Sequence, residues 1–96
     1  MAQAVAVTRL ETDAVRVTEW QFQPGDETGH HRHGFEYVIV PLTGGTLRLV
    51  EPGGERLAPL AAGVAYSRPA GVEHNVINAG DQYLAFVEVE LKHRPG

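Results

Sequence analysis

The sequence predicts an all-β fold, a sandwich or barrel of short strands. Three observations predict it. Apolar and polar residues alternate with period two in several short stretches, the pattern of strands with one face buried. Glycine and proline punctuate the chain at regular intervals, as the turns of a small β fold require. No window of about twelve or more residues carries the 3.6-residue apolar period of a helix.

The elements follow in order. Val15, Val17 and Glu19 alternate with Arg16, Thr18 and Trp20, and Pro24-Gly25 breaks the strand. Phe35 to Leu42 is a β-branched apolar run closed by Thr43-Gly44-Gly45. Thr46 to Glu51 alternates again with Leu47 and Leu49 on one face, Pro52-Gly53-Gly54 turns, and Glu55 to Leu60 returns. Val64 to Ser67, Glu73 to Asn78 and Gln82 to Leu91 complete the strands, with Ala79-Gly80-Asp81 as a hairpin turn between the last two. No internal repeat, linker or low-complexity segment interrupts this pattern.

Composition narrows the function. The chain has 96 residues, the size of one domain spanning 1–96, and 43% of them are apolar, as in a globular protein. The formal net charge of −4 offers no basic stripe for phosphates, so nucleic acid is not an expected partner. With no cysteine, disulfides and thiolate ligands are excluded. Met1 to Leu10 has neither a charged start nor a long apolar run, and no stretch approaches the roughly 18 apolar residues of a membrane helix. No signal peptide and no membrane association are expected, and the expected location is the cytoplasm.

The chemistry-bearing residues are histidines. Three of the five, His30, His31 and His33, fall within four positions. On an extended segment His31 and His33 share a face, a two-nitrogen clamp suited to first-row metals. His74 comes from a distant segment just after Pro69-Ala70-Gly71, and an antiparallel neighbour would bring it beside the pair. A short histidine pair is by itself a weak signal. Three imidazoles and a carboxylate would leave coordination positions open, as catalytic metal sites do.

The wider spacing sharpens this. Gly63 to Asn78 reads G-x5-P-x-G-x2-H-x3-N with every fixed position filled. Upstream, Gly25, His31, His33, Glu36 and Gly44 approximate G-x5-H-x-H-x3-4-E-x6-G. Together the two stretches resemble the signature motifs of the cupin superfamily, and the 18 residues from Gly45 to Ala62 suit its small single-domain members. The resemblance implies a single-domain cupin barrel of double-stranded β-helix, or jelly-roll, type. It implies that His31, His33 and His74 are ligands of one divalent first-row metal (Fe, Mn, Ni or Zn), with an acid as fourth ligand, and that the glycines and Pro69 make turns. Asn78 is expected in a turn or the barrel wall. The wording from Glu27 to Val38 is similar to a subgroup of very small bacterial cupins, some found near β-alanine catabolism.

The departure falls on the acid. Glu36 follows His33 by one residue too few, and counting back from Gly44 puts Tyr37 at the ligand position. Strict alternation turns Phe35 and Tyr37 inward with His33. A one-residue bulge at Gly34 would instead swing Glu36 in. Carboxylates are common metal ligands and tyrosines are not, so the reading takes Glu36 as fourth ligand and base. Tyr37 is then a proton donor at the rim. Without the bulge, the site has three histidines with Tyr37 lining it.

The other candidates are given bland roles. His30 and Arg32 are expected to face away from the cluster, His93 to be solvated, and Arg68 to be exposed although it could reach a substrate carboxylate. Glu88 and Glu90 are read as the wet face of a strand whose core face is Val87, Val89 and Leu91. Trp20, Phe22, Tyr66 and Phe86 are assigned to packing or a dimer interface. The expected function is a metal-dependent enzyme acting on a small oxygen-bearing molecule, with dioxygenase and isomerase or decarboxylase chemistry both compatible. The alternative is a non-catalytic module that binds a metal or a small acid. A homodimer that covers exposed strand edges is expected.

Overall fold

The computed structural model describes residues 2–92, so His93 lies outside the described residues. They form nine strands and no helix: β1 (Val5–Glu11), β2 (Val15–Phe22), β3 (His31–Arg32), β4 (Glu36–Pro41), β5 (Gly45–Glu51), β6 (Gly54–Leu60), β7 (Tyr66–Arg68), β8 (Glu73–Asn78) and β9 (Leu84–Leu91). The strands make two antiparallel sheets, ordered β1-β2-β9-β4-β7 and β3-β8-β5-β6. No helix among the described residues is long and apolar enough to cross a membrane.

Two of these strands were not read from the sequence. β1 is an edge strand paired only with β2 and exposed along most of its length, so burial imposes little alternation on it. β3 is two residues long, too short for any periodicity.

One turn is corrected. Ala79-Gly80-Asp81 does not close a hairpin, because β8 and β9 lie in different sheets. The segment is a corner, and Asn78 builds it. The buried Asn78 side chain accepts the Gly80 N–H at 3.0 Å and donates to the Gln82 carbonyl at 2.8 Å and the Phe22 carbonyl at 3.4 Å. A buried amide satisfied this fully fixes the crossing.

The β4-to-β5 crossing depends on a glycine. Gly45 has φ +150°, and a Cβ there would sit 2.6 Å from Leu84 Cδ1. Only glycine admits both that backbone and that approach.

Phe22, Ile39, Leu47, Leu49, Val76, Leu84 and Phe86 meet in the space between the sheets. The Phe22 and Phe86 rings lie tilted at 5.4 Å between centroids. Trp20 faces Phe86 and Phe22 faces Leu84 across the β2–β9 ladder. Along β9 the buried face changes from Leu84 and Phe86 to the carboxylate of Glu88. Apolar packing thus gives way to polar chemistry within one strand.

Candidate metal centre

Sheet register assembles the cluster. β3 pairs antiparallel with β8 so that His31 lies directly opposite His74, and directly opposed residues share a face. His33 follows two residues on. Its backbone is clamped by the second motif: the His33 N–H donates to the Val72 carbonyl and the Gly71 N–H donates to the His33 carbonyl, both at 2.8 Å. Gly71 has φ +95°, which explains a glycine at this tight approach.

The three imidazoles converge through the same atom. Nε2 of His33 is 3.0 Å from Nε2 of His31 and 3.0 Å from Nε2 of His74. The ligand atoms of the three lie within 4.8 Å of one another. Nitrogens held about 2.1 Å from one ion at near right angles are themselves roughly 3 Å apart, so the three histidines could hold a metal ion. His31 Nδ1–H donates to the Gly29 carbonyl at 2.9 Å, which turns the lone pair of Nε2 toward the cluster. His74 Nδ1 is buried without a hydrogen-bond partner.

The electrostatics keep the buried histidines neutral. Burial, then the neighbouring His31 and His74 and the Arg68 guanidinium, pull His33 down to about 3. Burial, then His31 and Arg68, pull His74 down to about 4. Neutral imidazole is the form that binds metals.

Tyr37, not Glu36, enters the site. The β4–β9 ladder runs without a register shift from Glu36 opposite Leu91 to Pro41 opposite Phe86. Burial alternates along this regular strand, with Tyr37, Ile39 and Pro41 buried and Glu36 exposed. The reading of Glu36 as fourth ligand and base is corrected on this ground. Tyr37 is 2% exposed and stacks on His33 with ring centroids 3.8 Å apart. Its hydroxyl is buried and unpartnered, and burial pushes its pKa well above the ordinary value, so it stays protonated.

The acid beside the cluster is Glu88. Its carboxylate lies 3.8 Å from His33 Nδ1 and accepts the Trp20 indole N–H at 3.0 Å. Burial, then the charge of Glu90, raises it to about 7. The assignment of Glu88 to solvent is thus reversed. β9 is apolar on both faces, so alternation alone could not choose between them. The available signal was parity, since Glu88 shares a face with Leu84 and Phe86.

The remaining candidates separate clearly. His30 reaches out to the Glu73 carboxylate at 2.6 Å, and Arg32 is exposed. Arg68 is not an exposed arginine; it is 24% exposed and lines the cavity above the histidines together with Trp20, Tyr66 and Phe86. Thr28, also unmarked in the sequence, lines it beside His31. The cavity holds about 390 Å³ of space, its open mouth included.

The fold and this inward-facing histidine cluster define a cupin, and the chain belongs to that family: the cupin domain family matches residues 18–90. It is 60% identical over 90 residues to the β-alanine degradation protein BauB of Pseudomonas aeruginosa, covering 94% of this chain and 95% of that protein. A crystal structure of a cupin domain from Bordetella pertussis is 49% identical and covers 96% of each chain, with a TM-score of 0.94. The polyketide cyclase RemF of Streptomyces resistomycificus is 26% identical over 98% of this chain and 68% of its own, with a TM-score of 0.76.

Proposed function

We propose that this cupin binds one divalent first-row metal through His31, His33 and His74 and uses it to act on a small oxygen-bearing molecule in the cavity. The observation that carries the reading is the convergence of three imidazoles, with Nε2 of His33 3.0 Å from Nε2 of each of the other two. The metal, when bound, supplies Lewis acidity toward a substrate oxygen, or a place for dioxygen if it is Fe(II).

The protein's own groups have separable tasks. Gly29 holds the His31 ring from behind through its carbonyl. Glu88 stands behind His33 on the Nδ1 side, the position from which a carboxylate fixes the tautomer and orientation of a ligand histidine. Trp20 fixes Glu88 in turn. Tyr37 keeps its proton and presents a donor beside the cluster. The aromatic and aliphatic walls limit water around any bound molecule.

The likeness to a β-alanine degradation protein supports a reaction in the breakdown of a small amino acid. A homodimer formed along the free edge of β1, where Val5 and Leu10 are exposed, is part of the proposal.

The test is the metal content of protein purified without an affinity tag, followed by Fe(II) loading without oxygen and an oxygen-uptake screen over small acids and amines. Near-stoichiometric metal lost in His74→Ala is expected. Wild-type protein that neither retains nor takes up metal would overturn the reading. Tight metal with no turnover would favour the binding module. Sedimentation as a clean monomer at high micromolar concentration would remove the dimer.

A further inference from the structure

We propose that Arg68 is a carboxylate-binding residue of the cavity, so that the substrate is a short-chain carboxylate anchored at one end by Arg68 and presented to the histidine cluster at the other. The inference rests on the reading of that cluster as a metal site.

The register aims the guanidinium. Arg68 lies opposite Tyr37 in the β4–β7 ladder, and Tyr66 lies opposite Ile39. Opposed residues share a face, and Tyr37 and Ile39 are both buried core residues. Arg68 is therefore directed toward the interior and not into bulk water. It lines the same cavity as His31, His33 and His74.

The charge count favours an anion. The charged side chains of the lining are Arg68 and Glu88, and Glu88 is engaged by Trp20 and His33. Arg68 gives one hydrogen bond, from an Nη to Glu51 at 3.1 Å. Glu51 is shared: Arg56 donates to its other oxygen, also at 3.1 Å. Glu51 is thus shared between two guanidiniums and does not neutralise Arg68 by itself. A guanidinium carries five N–H donors in a fork that matches a carboxylate, so Arg68 retains donors for a ligand. Much of the remaining lining is apolar, with Leu49, Phe86 and Tyr66 among it. It suits a short hydrocarbon spacer.

The experiment uses sodium propionate as probe and propionamide as its uncharged counterpart, at constant ionic strength, on protein with its native metal. Trp20, the one tryptophan of the chain, lines the cavity, and its fluorescence reports occupancy. Saturable propionate binding is expected, with no response to propionamide over the same range. Arg68→Met should weaken propionate by about tenfold or more, and Arg68→Lys by less, because it keeps a charge but loses the fork. Metal content and melting temperature are measured on the same samples. Propionate affinity unchanged in Arg68→Met, with metal retained, overturns the carboxylate site and leaves the metal reading intact. So does a lower melting temperature with unchanged affinity, which would make Arg68 a brace for Glu51 alone. Arg68-dependent propionate binding to a wild-type protein that holds no metal overturns the metal reading and keeps this one.

Discussion

The two buried histidines and the buried glutamate pull the pH dependence of stability in opposite directions, and Glu88→Gln separates them. His33 sits at about 3 and His74 at about 4, against 6.5 for the unfolded chain, while Glu88 sits at about 7 against 4.5. Depressed histidines favour folding above 6.5 and lose that contribution as pH falls. A raised carboxyl favours folding below 4.5 and loses that contribution as pH rises through 7. Between pH 4.5 and 6.5 the unfolded chain therefore holds two histidine protons that the folded protein lacks. The folded protein holds one on Glu88 that the unfolded chain lacks. The net difference is one proton, so metal-free wild type should lose about 1.4 kcal/mol of stability per pH unit on acidification. Glu88→Gln removes the opposing proton and keeps an acceptor for Trp20, and its slope should be about 2.7 kcal/mol per unit. Over the two-unit window the variant loses on the order of 3 kcal/mol more than wild type. The carboxylates of Glu11, Glu19 and Glu51, held low by their cationic or amide partners, are common to both proteins and cancel. Urea unfolding of chelator-treated protein at several pH values, followed by Trp20 fluorescence, gives both slopes. Equal slopes would show that Glu88 carries no proton in the folded state. Stability that rises on acidification of wild type would show that the histidines are not held neutral.

Further outcomes are expected. Glu36→Gln should leave metal content unchanged, since Glu36 is exposed; loss of metal on atomic-emission analysis would restore it as a ligand. Tyr37→Phe removes a buried, unpartnered hydroxyl, so metal-free protein should gain roughly 1 kcal/mol or more in urea unfolding. Glu88→Gln should lower metal affinity by about 10- to 100-fold in competition with a chelator, as expected for a group that orients a ligand histidine. Gly45→Ala must move Leu84 and strain the backbone, with a cost on the order of 1–3 kcal/mol. Phe22→Ala empties the best-buried aromatic position and should cost about 3–5 kcal/mol.

Much of the fold was legible because turns are local. Seven of the nine strands lie where alternation and Gly/Pro punctuation put them, within a few residues at their ends. The histidines could be singled out because a two-residue spacing on an extended chain fixes a shared face regardless of what surrounds it. The family motif then supplied His74, which no local rule could join to the pair.

Other features are pairwise facts of the tertiary structure. Whether Glu36 or Tyr37 turned inward depended on how the chain bends through Gly34 between the two sheets, and the buried face of β4 decides for Tyr37. Glu88 stands on a strand apolar on both faces, so its direction was set by which face the opposite sheet covered. Arg68 is an ordinary polar residue before a proline until Tyr37 is placed across from it. The sequence by itself determined seven of the strands, most of the turns and the His31–His33 pair, because those depend on neighbours along the chain. The tertiary structure decided which acid, which phenol and which cation share their cavity, because sheet register joins residues tens of positions apart and a shift of one residue turns each side chain to the opposite face.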